Sequence, residues 1–305
     1  MNCAHKPNVS PTQPLQPQQI TQTATTPNAA DSVSLTSSVA VGLLHDPNSE
    51  VEIGLPEKEF AEHFSEHIDK LKIELSFAHL EIKGKNKEKK NKIKTSLVKG
   101  SKEDCKIAII KTLNQIVIQE PLQKERKKDE SFFPKNFQCE FKIEISFINA
   151  AELELDINKS NITIENWEKP IFLKAAWGEM DFSQVQDLTL DCGNCTLTGE
   201  NISGDLKYTL KTGNVGVEGL TGTVQGETSG DTILKWKKLK PNSNVKIISR
   251  VGDVVLTFPK KIALFMDLKV KNGEIYSKLN SDEDGIPVTV VLQAGNLKIY
   301  RSTTH

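Results

Sequence analysis

A Gly followed by Asp, Asn or Glu returns at a near-fixed interval through the C-terminal half of this chain. It stands at Gly178-Glu179, Gly193-Asn194, Gly213-Asn214, Gly230-Asp231, Gly252-Asp253, Gly273-Glu274 and Gly295-Asn296. The intervals are 15, 20, 17, 22, 21 and 22 residues. In a sequence of short Ile-, Val-, Thr- and Leu-rich runs, a period of about 20 residues predicts a stacked, coiled sheet with one turn per repeat. Such an architecture presents rows of side chains and argues for a scaffold or binding surface over an ordinary enzyme.

The residues around the glycines support strands on both sides of each one. Two positions after the Gly come Met180, Cys195, Val215, Thr232, Val254, Ile275 and Leu297; four after it come Phe182, Leu197, Val217, Leu234, Leu256, Ser277 and Ile299. Both columns are mostly apolar and the residues between them mostly polar. That is period-two alternation, so a short strand with one buried face leaves each Gly. Five and three positions before the Gly the same alternation enters it, as in Leu188 and Leu190 or Tyr208 and Leu210. Gln225 and Glu227 are misfits, and their neighbours Val224 and Thr228 indicate a one-residue slip in that repeat. A sharp bend at each Gly needs positive φ, which Gly allows and Asn or Asp tolerate. A second set of breaks falls midway in some repeats, at Gly204-Asp205, Gly222, Pro241-Asn242, Pro259 and Asp284-Gly285. One repeat cannot bury its apolar face alone, so neighbours must stack.

Four segments carry a family resemblance: Thr212-Gly213-Asn214-Val215, Leu220-Thr221-Gly222, Thr228-Ser229-Gly230-Asp231 and Val254-Val255-Leu256-Thr257-Phe258-Pro259. They resemble the T-x-x-G-D/N-V/I and G-L-x-G turns, and the L-x-L/F-P step, of the bacterial putative-adhesin family of unknown function. The chain is also similar to the related adhesin head domains. The match runs from about 174 to 301. The resemblance implies a β-solenoid, association with the cell envelope and no known catalytic residues.

Upstream of the repeats the chain changes character. Residues 7–30 hold no charged residue and are dominated by Pro, Gln, Thr, Asn and Ser. Such a segment cannot bury enough apolar surface to offset its ordering entropy, so residues 1–50 are read as a disordered tether. Residues 33–44 are mildly apolar but too short and too broken by Ser and Thr to span a membrane. No complete signal peptide stands at the recorded start, which predicts a cytoplasmic protein if that start is correct. Met1-Asn2-Cys3-Ala4 before an uncharged linker points the other way. It has the arrangement of a matured bacterial lipoprotein, with Cys3 as the lipid attachment site, if the start lies further upstream. Asn before the Cys departs from the small residue usual there.

Residues 51–165 read as an irregular β region that caps the repeats. Phe60, Phe64, Ile68 and Leu71 have helical spacing, which predicts a short amphipathic helix over 56–70. Strand-like alternation follows from Leu71 to Phe77, and shorter strands are expected near 80–82, 93–97, 106–110, 115–118, 137–145, 153–157 and 162–164. A cap is needed because an uncovered end strand would pair with another molecule.

Several motifs have both a chemical and a plainer reading. His63-Phe64-Ser65-Glu66-His67 matches H-x-x-E-H, a metalloprotease zinc signature. No third ligand accompanies it, and a catalytic zinc normally takes three, so a solvated helix is the better reading. Cys192-Gly193-Asn194-Cys195 is a C-x-x-C on a bend, without the βαβ context of a redox site or the second pair of a zinc site. Cys105 and Cys139 stand singly. Cys192 and Cys195 are read as inward core residues, free or joined by a disulfide in an oxidising compartment. The acidic residues after the glycines recur at about twice the nine-residue period of calcium-binding repeats, and turn preference explains them without metal. Residues 83–94 contain seven lysines, and 124–128 form a second basic run. Neither has interleaved aromatics, and the net charge is −1, so nucleic acid is not an expected partner. The sequons at Asn161 and Asn201 matter only on a eukaryotic secretory route.

The expectation is therefore an all-β chain: a tether over 1–50, a capping β region over 51–165, and over 166–301 a single-stranded β-solenoid, or β-helix, of about 20 residues per turn. The expected function is a non-enzymatic cell-envelope protein, without cofactor or metal, that binds a surface ligand, a polysaccharide or an envelope protein. The alternative is an envelope-stress sensing or assembly module acting through a membrane-protein partner. A polysaccharide-active enzyme ranks third, because Glu and Asp are scattered and form no recurring outward cluster.

Overall fold

The computed structural model describes the backbone of residues 50–54 and 59–60 and, with side chains, residues 68–85, 91–102, 104–121 and 139–303. The chain is all-β, and no helix occurs among the described residues. All the described strands join in one hydrogen-bonded sheet. The first seven are β1 (Glu50–Gly54), β2 (Glu59–Phe60), β3 (Lys70–Lys83), β4 (Lys92–Lys99), β5 (Ile107–Lys111), β6 (Gln115–Gln119) and β7 (Glu140–Ser146). The first half of β3 pairs in parallel with β6 and its second half with β7. Beyond them direction reverses: β5 is antiparallel to β6 and to β1, and β4 is antiparallel to β7 and to β2.

The helix expected over 56–70 is corrected in part. Glu59–Phe60 is a strand paired with Ile93 and Lys94, and residue 70 already belongs to β3. Phe60 and Leu71, the first and last residues of the spacing that predicted a helix, thus lie on different strands. Residues 61–67, and with them the H-x-x-E-H pattern, lie outside the described residues.

The other face of β3 starts a long parallel series. It pairs residue for residue with β8 (Glu152–Glu165), which pairs with β9 (Ile171–Ser183), which pairs with β10 (Leu188–Glu200). The parallel stack thus reaches back across the boundary expected at residue 165. These strands are 13 to 14 residues long and bend without interruption. Later levels break into two strands at the bend: β11 (Leu206–Thr212) with β12 (Val215–Leu220), β13 (Val224–Thr228) with β14 (Thr232–Trp236), and β15 (Val245–Val251) with β16 (Val254–Phe258). Each pair lies in parallel register on the one before it. From β8 to β14 the partner of a residue is 17 or 18 positions away, as in Met180–Leu197 and Leu197–Val215, save at Leu220–Trp236 where the register shifts, and it is 22 in Leu234–Leu256.

The last two levels stack out of chain order. After β16 come β17 (Leu264–Asn272), β18 (Ile275–Ser277), β19 (Ile286–Ala294) and β20 (Leu297–Arg301). β19 and β20 lie directly on β15 and β16, and β17 and β18 lie outside them. Both segments alternate apolar and polar residues. The outward positions of β19 are Pro287, Thr289, Val291 and Gln293, whereas those of β17 include Asp267, Lys269 and Lys271. The uncharged strand is covered on both edges and the charged strand forms the end, in keeping with the use of charge to guard a sheet edge.

Inward columns form one continuous core running through every level from β3 to β20. The slip at Gln225 and Glu227 has a packing cause. Val224, Gly226 and Thr228 face inward there, and Gly226 lies against the Tyr208 ring, which would collide with any Cβ at that position. A large residue on one level is matched by the smallest on the next, as dense packing requires. At the ends of β14 and β16, Trp236 stacks on Phe258 with ring centroids 4.7 Å apart, and just after β8 Trp167 donates its indole N–H to the Ala151 carbonyl at 2.9 Å. Buried indoles need such partners.

Candidate binding face

Function on a stacked sheet depends on which polar groups are consumed in holding the stack and which remain on its surface. The corner glycines belong to the first class. A column runs through Ser160, Gly178, Cys195, Gly213, Gly230, Gly252, Gly295 and Gly273, in spatial order. A Cβ on each of these glycines would run into backbone of the level before it. Gly213 has φ +130° and lies over the Cys195 carbonyl; Gly252 has φ +116° and lies over Gly230. Side chains are excluded there both by conformation and by space. Gly178, Gly273 and Gly295 also have positive φ, whereas Gly193 and Gly230 do not. Gly193 is a correction: it lies over Ala176, and Cys195 takes the corner over Gly178. The true offset at this level is 17 residues, and counting from Gly to Gly gave 15 because no Gly occupies that corner.

The Asp and Asn residues after the corner do more than favour a bend. Each carries a side-chain oxygen that accepts the backbone N–H of its equivalent on the next level. Asp231 N–H bonds to Asn214 Oδ1 at 3.0 Å, Asp253 N–H to Asp231 Oδ1 at 2.8 Å, and Asn296 N–H to Asp253 Oδ1 at 2.8 Å. Glu274 N–H then bonds to Asn296 Oδ1 at 3.2 Å, so the ladder follows spatial order through the exchanged levels. A second ladder joins Asp187, Asp205 and Thr223, with Asp205 N–H on Asp187 Oδ1 at 2.7 Å and Thr223 N–H on Asp205 Oδ1 at 2.9 Å. These N–H groups stand where the strand ladder is interrupted, and an unbonded one would be costly.

A third corner has no sequence signature. Lys85, Asn166, Gln184, Asn201 and Gly219 take left-handed φ between 51° and 75°. Asn166, Gln184 and Asn201 each donate an N–H to the level above, to the Ser183, Glu200 and Glu218 carbonyls. Asn tolerates this conformation, but Lys and Gln give no hint of it. Here the stacking imposes the geometry.

The cysteines also divide by role. A disulfide joins Cys105 to Cys139, whose Cα atoms are 5.5 Å apart and 34 residues apart in sequence. Their separate positions carry no spacing signal, but setting Cys3 aside leaves an even number of cysteines. Cys192 and Cys195 turn towards each other across Gly193-Asn194, both buried, with Cα atoms 6.0 Å apart, within the reach of a disulfide. Cys3 lies outside the described residues.

The lysine-rich run is largely matched by acids where it is described. Lys83 pairs with Glu165 at 3.3 Å, Lys85 with Glu168, and Lys94 with Glu144 at 3.6 Å. Residues 86–90 and the basic run at 124–128 lie outside the described residues. Nearby, Lys70 bridges Glu154 at 2.5 Å and Glu152 at 3.5 Å. The Glu154 carboxylate raises Lys70 above its ordinary 10.5, and the Lys70 hydrogen bond holds Glu154 below its ordinary 4.5. No group of three or more His, Cys, Asp or Glu among the described residues could hold a metal ion. No helix among them is long and apolar enough to cross a membrane.

What remains on the surface is uneven. On the face formed by β12, β14, β16, β20 and β18, one outward row runs Gly216, Ile233, Val255, Lys298, Tyr276. The neighbouring row runs Glu218, Lys235, Thr257, Tyr300. Ile233 is 51% exposed and Tyr276 45%, and the Tyr276 and Tyr300 rings are 5.9 Å apart. Lys235 pairs with Glu218 at 3.2 Å, and Lys278 lies over the Tyr276 ring at 5.8 Å. The strands nearer the start of the stack carry Thr163, Asp181 and Thr198 in the corresponding row. On this face, exposed aromatic and aliphatic side chains flanked by lysines are thus confined to the last levels, while elsewhere on the stack Phe172 and Trp177 of β9 are also exposed.

No protein-family model matches the chain, and no curated protein matches it. Among solved structures it is similar to a putative cell adhesion protein from Clostridium sporogenes ATCC 15579, at 15% identity over 83% of this chain and 99% of that one, with a TM-score of 0.27. It is similar also to a putative adhesin from Parabacteroides distasonis ATCC 8503, at 10% identity over 83% of this chain and 97% of that one, with a TM-score of 0.32. A third is a putative adhesin from Parabacteroides merdae ATCC 43184, at 11% identity over 85% of this chain and 98% of that one, with a TM-score of 0.30.

Proposed function

We propose that the parallel levels form a single-stranded β-solenoid and that the protein is a non-enzymatic, adhesin-like binding module of the cell envelope. The solenoid reading rests on the in-register parallel pairing and on the corner column that recurs at each level. The adhesin-like reading rests on the sequence resemblance over about 174–301. The observation that carries the binding role is the row of exposed Ile233, half-buried Val255, Lys298 and exposed Tyr276, with Tyr300 beside it, spaced by adjacent strands on one face. An extended polysaccharide offers alternating apolar CH faces and polar edges, which suits tyrosine rings with lysines beside them. The acids of the corners are bonded to backbone N–H groups, which suits a structural use of those carboxylates.

The test is calorimetric titration of the full chain with a panel of neutral and anionic polysaccharides. Saturable binding without chain cleavage is expected, with affinity reduced at least about tenfold in the Tyr276→Ala/Tyr300→Ala double variant, since aromatic anchors dominate such surfaces. Absence of binding across the panel, with retention of a membrane protein instead, would transfer the role to assembly or stress sensing. Release of shortened sugars would revive the enzyme.

Export to the envelope is part of the same proposal. The Cys105–Cys139 disulfide favours an oxidising compartment, and the same setting would close a Cys192–Cys195 bridge. Anchoring through an acylated Cys3 follows from the uncharged linker behind it. Intact mass of the native protein from fractionated cells is expected to show acylation at Cys3 in the membrane fraction. An unmodified chain still carrying Met1 in the soluble fraction would end the anchoring proposal.

A further inference from the structure

The last level leaves a strand edge uncovered. Among the described residues β17 pairs only with β19. Main-chain groups of successive residues in a strand point to opposite edges. The Ala263 carbonyl accepts from Ile286 N–H, which places the odd-numbered residues on the β19 side. On the opposite edge the 281–282 segment covers the beginning of the strand: the Leu264 carbonyl accepts Asp282 N–H at 2.8 Å, and Met266 N–H donates to Ser281 Oγ at 2.9 Å. Beyond that point Leu268 and Val270 direct their N–H and C=O groups outward. Their side chains continue the core rows of Val290 and Leu292, which are buried one level in, yet they are themselves only half-buried. The strand has no proline, and the positive charges on its outer face are opposed by one acid.

We propose that this edge pairs antiparallel with the same edge of a second copy of the chain, about a two-fold axis through Leu268. Charge selects both the occupant and the register. A two-fold axis through residue 267 sets Asp267 against its own copy. An axis through 269 sets Lys269 against its copy, and one through 270 sets Lys269 against the partner's Lys271. The axis through Leu268 alone sets Asp267 against the partner's Lys269, twice by symmetry, and brings no like charges face to face. In that register Leu268 exchanges hydrogen bonds with its copy, and Val270 N–H reaches the partner's Met266 carbonyl. Met266 N–H stays on Ser281, which ends the ladder. The half-buried Leu268 and Val270 then gain the cover that Val290 and Leu292 already have. An isologous contact of this kind closes at two copies and does not propagate.

The experiment is sedimentation equilibrium of the full chain over a concentration series, with thermal melts to verify folding of each variant. The wild type is expected to show a reversible monomer–dimer equilibrium. Lys269→Glu sets acids against acids and is expected to weaken the dimer more than about tenfold. The exchanged pair Asp267→Lys/Lys269→Asp restores opposite charges in the same register and is expected to recover the dimer. A wild type that stays monomeric, a dimer indifferent to Lys269→Glu, or a lost dimer that the exchange does not recover would each overturn the proposal.

Discussion

The two ends of the stack are finished by different means. At the N-terminal end the strands reverse direction, and among the described residues the outermost strands are short: β1 has 5 residues and β2 has 2. Behind them the Cys105–Cys139 disulfide and the ion pairs of Lys70 and Lys94 fasten the outer levels. At the C-terminal end the strands stay parallel, and β17 leaves a 9-residue strand whose outer edge is covered, among the described residues, only at its start, by Ser281 and Asp282. Its guard is charge. A parallel stack has no intrinsic stopping point, since every level presents the same edge to the next. Reversal of direction ends the parallel series, whereas charge on an open strand limits pairing to partners that answer it. The exchange of the last two levels fits this logic, because it places the charged one of the two strands, β17, where the series must stop and the uncharged β19 inside.

The largest expected effect concerns the closed end. Removing the Cys105–Cys139 bridge as the double Ser variant frees a loop closed by a separation of 34 residues. Loop entropy then predicts a loss of about 3.8 kcal/mol in denaturant unfolding. An unchanged midpoint would show that antiparallel pairing suffices there without the bridge. Next comes a contrast between interior and end. Gly213→Val drives a branched side chain into the Cys195 carbonyl at positive φ, deep in the stack, and should cost about 3 kcal/mol. Gly273→Val makes the same collision with the Gly295 carbonyl, but in the last level, which can peel away from one neighbour. Its cost should be about 1 kcal/mol. Equal costs would mean that the C-terminal level is as tightly held as the interior, and would weaken the contrast between the ends.

The contrast also explains what could be read from sequence. Alternation around the glycines identifies inward residues such as Leu197, Val217 and Leu256, because a half-buried strand has period two wherever it lies. The Gly-Asx signal marks the corners for a local reason, but the ladder from Asn214 to Glu274 depends on the level above, which sequence does not display. The exchange of 264–277 with 286–301 was hidden for the same reason: both segments satisfy one pattern, and only the charge on β17 separates them. Cys195 concealed a corner by occupying it without being Gly. The left-handed Lys85 and Gln184 carry no local signature at all, since neighbouring levels impose their φ. On the candidate face, Tyr276 and Tyr300 are 24 residues apart and adjacent only because two strands align. Information about one strand was legible; information about which strands touch was not.

A smaller effect probes the ladder that links interior and end. Asp253 accepts both the backbone N–H and the side-chain amide of Asn296. Asp253→Ala leaves a partly buried N–H unbonded and should cost about 1.5 kcal/mol, while Asp253→Asn, which keeps an acceptor oxygen, should recover most of it. Asn296→Ala also gives up its amide bond to Asp253 but otherwise releases only Glu274 N–H, in the last level, and should cost less, about 1 kcal/mol. If the two alanine variants melt together, the ladder does not weaken towards the open end.

The smallest effect distinguishes the ends by pH. The hydrogen bond from Lys70 holds Glu154 below its ordinary 4.5, and Lys142 does the same for Glu144. A carboxylate whose pKa is lower in the folded state contributes its stabilisation fully above the unfolded value. That contribution fades as pH falls below about 4.5 and through the lower folded value. Because Glu154 is partly exposed, its share should not exceed a few tenths of a kcal/mol, and added salt should reduce it. Hydrogen exchange, corrected for intrinsic rates, should show protection of β3 and β8 falling between pH 6 and pH 3 more than that of β15 and β19. Glu154→Gln should abolish much of the difference at low salt. Uniform loss along the stack would mean that acid acts on net charge, and that these ion pairs do not fasten the closed end.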